Sequence, residues 1–339
     1  MGGESIHISA IDDPELWDRF IDESPYGTIF HKWDFLRTVE KHTGSELHPL
    51  GVYITEELIC IIPLFLKKVN GIRMILSPPP GTAIPCLGFV ISPRCDVMNL
   101  SKKSQRMYEM GKLFSEKIDS MNANYVSIVL TPMFYDVRPF KWHGFAIDPM
   151  TIFMIDLDRP LDDILKSFSS SRKSAIKKLD SYNLKLVESD DVSMFYGSSV
   201  ERYREQGLKF PVAGKEYLEE ALDLYPEDIK LYYIRDGEDN TLGGLMTAEY
   251  KRMSMWLGNV KPDVNVPVNE FLYWELIKKG QNKNYSILEL GGADVPNIAA
   301  FKAKFNPSLH VKYRLVKKDM IGKAAEWAFF NIYKKNKSI

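Results

Sequence analysis

Residues 122–130 read NANYVSIVL, and residues 282–290 read NKNYSILEL. Asn, Asn, Tyr and Leu coincide, and each segment follows a stretch with helical periodicity. Polar turns entering apolar strands look alike, so this match alone decides little. The element order repeats as well, and that decides more. In the first half, a strand at 6–9 precedes a helix opened by Asp13-Pro14, the carboxylate as cap and the proline in the first turn. Ser24-Pro25-Tyr26-Gly27 is a turn, and a helix follows at 33–41. Runs at 50–54 and 58–66 flank Thr55-Glu56-Glu57 as a hairpin. A strand at 71–76 ends at Pro78-Pro79-Pro80-Gly81; a helix at 105–118 and strands at 125–130 and 151–157 complete this half. The second half restarts with a basic helix at 161–179, a strand at 184–188, and helices at 192–205 and 215–224. A hairpin of 229–234 and 242–250 turns at 236–240, before a strand at 253–257, a helix at 269–278 and a strand at 285–290. Each half reads helices, hairpin, strand, helix, buried strand. Such self-similarity points to duplication, and the alternation of elements to an α/β (α+β) fold with mixed sheets.

A chain of 339 residues suits two domains. No low-complexity linker separates the halves, which argues for domains packed together. Hydrophobic content of 45% and charged content of 26% are those of a soluble globular protein. The net charge of -1, from 44 basic and 45 acidic residues, argues against a general nucleic-acid binder and against DNA as a partner. Cys60, Cys86 and Cys95 form no CxxC, which suits a reduced, cytoplasmic protein. The start MGGESIHISAIDD is acidic and does not read as a signal peptide. The apolar run at 58–66 is too short for a bilayer, which needs about 20 residues, and Pro63 interrupts it. Six scattered histidines give no metal-ligand spacing, and GxSxG and Walker loops are absent.

The stretch 288–305, LELGGADVPNIAAFKAKF, carries the chemistry. An apolar strand runs into Gly291-Gly292, which permit positive φ and close backbone approach to a ligand. Lys302, flanked by Phe301 and Phe305, supplies a compact cation for a phosphate or an oxyanion. The bland alternative is an amphipathic segment with snorkelling lysines, Lys302 and Lys304. Glu289 ends an otherwise apolar strand. It is either a buried partner of a cation or a general base with a raised pKa. Glu249-Tyr250 offers a rival base, with Tyr250 equally readable as packing. Arg172, Lys173, Lys177 and Lys178 form a basic run, which is a solvated face or a set of phosphate contacts. Tyr26, Phe30, His31 and Trp33 are either core or an aromatic wall, and Arg73 a contributor to the same cleft.

With these residues in hand, the chain resembles the FemABX family of tandem GNAT-fold acyltransferases. SRKSAIKK at 171–178 is similar to the family's basic R-x-x-I-R-K-A helix, and GGADVPNIAAFKAKF to its D-F-x-G-…-G-L-x-x-F-K-x-x-F-G. Tyr203-Arg204-Glu205-Gln206-Gly207 resembles the helix end before the acceptor pocket. Departures are Glu289 for Asp, Ile298 after Asn297 in place of Gly, and Asn306 for the last Gly. The resemblance implies two GNAT-like domains packed around a central cleft: residues 1–157 with a returning C-terminal helix at 318–339, and residues 158–317 with the main site. It implies transfer of an acyl or aminoacyl group to an amine of a cell-envelope or polysaccharide precursor. Lys302, Glu289 and Tyr250 are then the catalytic candidates. Arg172, Lys173, Lys177, Arg204, Trp33, Arg73, Gly291, Gly292 and Phe301 are the binding candidates. No cofactor is tightly bound; the donor is aminoacyl-tRNA or acyl-CoA, with tRNA a partner in the first case.

No Q/R-x-x-G-x-G/A loop, which would cradle a pyrophosphate, precedes the helix at 269 or that at 105, and this weakens the acyl-CoA reading. Two alternatives stand beside the first: an acyl-CoA-dependent N-acyltransferase of a small amine or amino sugar, and a non-catalytic binding protein on a decayed GNAT scaffold. The final helix, 319–333, is apolar on many sides and is followed by Lys334, Lys335 and Lys337. An apolar helix of this kind packs on the first domain; the alternative is peripheral contact with the inner face of an anionic membrane.

Overall fold

The computed structural model describes residues 5–95, 97–134, 136–260 and 265–328. The chain divides into two compact units, Met1–Pro149 with Lys312–Ile339, and Met150–Val311. In the first unit β1 (Ile6–Ala10), β2 (Glu46–Ile54), β3 (Glu57–Val69) and β4 (Ile72–Ser77) are antiparallel neighbours in that order. α1 (Pro14–Glu23) and α2 (Trp33–Thr43) lie between β1 and β2 in the chain. Asp13 accepts from the Glu15 and Leu16 amides, so the predicted cap is made. β5 (Val90–Ile91) pairs with β3. α3 (Leu100–Ser120) then crosses to β6 (Tyr125–Val129), which runs parallel to β4. α4 (Arg138–Trp142) and β7 (Ala146–Asp156) follow.

The second unit repeats the plan. After α5 (Leu161–Ser167) and α6 (Ser170–Ile176), β8 (Lys185–Ser189) is separated from β9 (Ile229–Arg235) by α7 (Val192–Glu205) and α8 (Lys215–Leu224). β8, β9, β10 (Thr241–Glu249) and β11 (Met253–Gly258) are antiparallel neighbours. α9 (Val268–Asn282) crosses to β12 (Ile287–Gly292), which is parallel to β11 and antiparallel to β7. α10 (Pro296–Ala303), β13 (Ser308–Lys318) and α11 (Met320–Ala328) complete the chain, with β13 antiparallel to β6. The matching segments 122–130 and 282–290 occupy the same place in both copies, the end of the crossover helix and the strand it feeds. α9 buries Phe271, Leu272, Tyr273, Leu276 and Ile277 in a core shared with Leu245, Leu288 and Leu290.

Three elements differ from the sequence expectation. The helix at 161–179 is broken at Phe168, whose extended backbone puts its ring in the core, edge-on to Trp274 and Phe305. β13 was not expected as a strand at all. The final helix does not bury its apolar face: within α11 only Gly322 is buried, while Met320, Ile321 and Trp327 are 84%, 58% and 63% exposed. Gly322 sits against the Asn124 carbonyl, where a Cβ has no room, and Asp319 accepts from the Asn124 side chain. Farther along α11, Glu326 pairs with Lys318 at 2.6 Å. Phe330, the other aromatic on which the packing expectation rested, lies outside the described residues. Among the described residues no helix is long and apolar enough to cross a membrane.

Candidate active site

The parallel pair in the second unit comes apart. Its ladder covers only Met253↔Leu288 and Ser254↔Glu289, although β11 continues to Gly258 and β12 to Gly292. β12 bulges between Glu289 and Gly291, and Gly291 takes φ +81, a left-handed conformation that favours glycine. In the first unit the matching pair stays in register from Met74↔Tyr125 to Ser77↔Ile128. Beyond it, the Leu87 amide donates to the Val129 carbonyl at 3.1 Å, and Ser77 Oγ donates to the Leu87 carbonyl. The first unit thus bridges its strand ends with its own backbone.

At the diverging strands stands Lys302. Its Nζ donates to the Gly292 carbonyl at 3.0 Å. A Cβ on Gly291 would lie 3.6 Å from this Nζ and 4.0 Å from the Met255 carbonyl, so the amine faces the gap between β12 and β11. Lys302 is half-buried and has no carboxylate partner among the described residues. Desolvation brings its amine down to about 8. Asp294, in the loop before α10, is occupied by the Thr151 hydroxyl at 2.6 Å and the Thr151 amide at 3.0 Å. Lys304 is exposed.

Glu289 is buried, with Arg252 Nε 2.8 Å from Oε1 and Ser254 Oγ donating to Oε2 at 2.8 Å. Glu289 is thus a buried carboxylate paired with a cation, the first of the two readings its place in the strand allowed. Tyr250 does not join Lys302. It lies in the turn before β11, at the opposite end of the strands from Gly291, with the Lys251 amine 5.3 Å from its ring. Glu249 is saturated by donors, with Tyr232 at 2.8 Å, Thr247 at 2.7 Å and Lys283 at 2.6 Å.

The basic run separates by role. Arg172 pairs with Glu270 in the first turn of α9, and its guanidinium lies 4.6 Å from the Phe301 ring and 5.7 Å from that of Phe305. Its Nε has no hydrogen-bond partner among the described residues. Lys173 donates to the Lys166 carbonyl at 3.2 Å, and Lys177 is exposed. Lys178 lines a cavity of about 270 Å³ with Ser174, Tyr182, Asn265, Pro267 and Glu270. Arg204 is exposed at the end of α7, 3.7 Å from Glu201. Trp33 and Arg73 belong to the first unit. The Trp33 ring meets Trp17 edge-on at 5.9 Å, and Arg73 donates to the Met121 carbonyl at 3.1 Å. Sequence reasoning missed Glu270 and Arg252, because each acts through a partner distant in the chain.

A two-copy α/β plan with one parted parallel pair can be compared with known structures. FemX matches over 91% of this chain and 96% of its own, at 13% identity and a TM-score of 0.66. The chain has the FemX fold. L-PGS from Bacillus licheniformis matches over 94% of each chain, at 12% identity and a TM-score of 0.55. A tandem GNAT protein from the clavulanic acid biosynthesis pathway matches over 92% of this chain and 98% of its own, at 9% identity and a TM-score of 0.52. No protein-family model and no curated protein matches the chain. The tandem GNAT architecture implied by the sequence resemblance is therefore present, and FemX-fold proteins share it at identities where only the fold is kept.

Proposed function

We propose that this FemX-fold chain is an acyl- or aminoacyltransferase acting on an amine of a cell-envelope or polysaccharide precursor. One observation carries the reading: a partly desolvated amine, Lys302, with no carboxylate partner among the described residues, stands where β11 and β12 part. A neutral acceptor amine attacks the donor carbonyl, a C–N bond forms, and charge collects on the carbonyl oxygen. The Lys302 ammonium donates to that oxyanion. The C–O bond to tRNA or the C–S bond to CoA then breaks, and the leaving group takes the proton that the amine has shed through water. Glu289 holds Arg252 and takes no part in this transfer. The cavity beside α9 suits an anionic part of a substrate, because Lys178, Ser174 and the first turn of α9 face one space and Arg172 already neutralises Glu270.

The donor is decided by offering radiolabelled acetyl-CoA and, separately, aminoacyl-tRNA to the purified protein across a panel of amines. Lys302→Ala should lower kcat about 100-fold with little change in KM. Turnover unchanged in that variant, or transfer from neither donor, overturns the proposal. The exposed Met320, Ile321 and Trp327 beside Lys323 add peripheral contact with the inner face of an anionic membrane to the reading. A cytoplasmic protein that modifies lipid-linked precursors works at that surface.

A further inference from the structure

Arg172 does more than neutralise Glu270. The rings beneath its guanidinium, Phe301 and Phe305, bracket Lys302 in the chain. Phe305 is stacked on Tyr273 of α9 at 4.6 Å and meets Phe168 edge-on at 5.3 Å. The Lys304 carbonyl accepts from the Ser169 amide at 2.9 Å. α10 buries none of its own residues, so among the described residues it is held by this knot of α6, α9 and the turn after α10, and by the Lys302 bond to the Gly292 carbonyl. We propose that Arg172, anchored by Glu270, is a positioning residue that clamps the Phe301–Phe305 turn and thereby holds the Lys302 amine at the parted strands. The purpose of the clamp rests on the transferase reading; its geometry does not.

A rival role for Arg172 is a purely electrostatic one, a cation that makes a nearby ammonium less favourable. The other charged groups around Lys302 are committed or exposed: Asp294 to Thr151, Glu289 to Arg252, and Lys304 to solvent. The two roles predict opposite signs. Glu270→Gln removes a negative charge, so a field effect alone would make Lys302 lose its proton more easily. Loss of the clamp lets water reach the amine, which then holds its proton more tightly. Phe301→Leu removes a ring without changing any charge and should act in the same direction as loss of the clamp.

The test is pulse labelling of the full-length protein with acetic anhydride over a pH series, with Lys302 read by peptide mass spectrometry. Exposed Lys177 is the internal reference. Half-maximal labelling should lie near pH 8 in the parent protein. It should move up by about one pH unit in both variants, roughly a fivefold drop in labelling at pH 8. A downward shift in Glu270→Gln, or no shift in Phe301→Leu, overturns the clamp. If Glu270→Gln does not fold, Phe301→Leu decides alone. Labelling needs neither donor, so an upward shift without any transfer activity sinks the transferase reading and leaves the clamp standing. Transfer with unshifted labelling does the reverse.

Discussion

Replacing Lys302 by methionine should stabilise the protein at neutral pH while removing transfer. Burial lowers this amine from its ordinary 10.5 to about 8. Each tenfold change in proton affinity is worth about 1.4 kcal/mol, so keeping the amine charged costs the folded state at most about 3 kcal/mol. The side chain is only half-buried, and the remaining water contact makes that figure a ceiling. Losing the bond to the Gly292 carbonyl gives back about 1 kcal/mol. The net gain should be about 1–2 kcal/mol. Its sign with pH follows from the direction of the shift. Below pH 8 the amine is charged in both the folded and the unfolded chain, and the full cost applies. Between 8 and 10.5 the folded protein releases its proton while the unfolded chain keeps it, and the cost shrinks. Above 10.5 it is gone. Guanidinium unfolding of parent and variant at pH 7 and at pH 10.5 measures both points. A variant less stable than the parent at pH 7, or equally stabilised at both values, refutes the reasoning.

Arg252→Ala should cost about 3 kcal/mol in thermal unfolding, because it strands the buried Glu289 carboxylate. Glu289→Gln should keep most of kcat; a drop of about 100-fold would restore Glu289 as the base. Gly291→Ala should destabilise by about 1–2 kcal/mol, since an L side chain is strained at φ +81, and should slow transfer through the new Cβ beside Lys302. Full-length protein should co-sediment with anionic liposomes more than a chain truncated before Asp319, and equal binding would end the membrane idea.

The duplicated order of elements was legible because it rests on local signals, namely turn residues, an Asp-Pro start and apolar periodicity. β13 was not, because its pattern runs against burial. Leu309 and Val311 are 59% and 36% exposed, whereas Lys312 is buried with its amine on the Pro85 carbonyl at 2.7 Å. Alternation that places leucine outside and lysine inside does not read as a strand. The break at Phe168 was hidden for another reason. A continuous helix satisfies 161–179 locally, and only Trp274 and Phe305, distant in sequence, make the break favourable. Lys302 stood out because paired glycines after an apolar strand precede it closely. The pairing of Arg172 with Glu270 was not legible, because the two lie far apart in the chain and no single-sequence signal joins them.

The two copies differ at the ends of their parallel strand pairs. In the first, the Leu87 peptide ties the Ser77 end of β4 to the Val129 end of β6. Phe89 packs there against Phe114 at 4.8 Å and Phe140 at 4.9 Å. Backbone groups at those strand ends are satisfied by protein, and the space beside them is apolar core. In the second copy the ladder stops at Ser254↔Glu289, Gly291 is left-handed, and the Lys302 amine faces the opening. A partly desolvated amine weakens a fold, whereas a buried phenyl strengthens it. Duplication lets one chain hold both arrangements: a copy whose strand ends are closed by its own groups, and one whose strands part at a left-handed glycine beside a partly desolvated lysine.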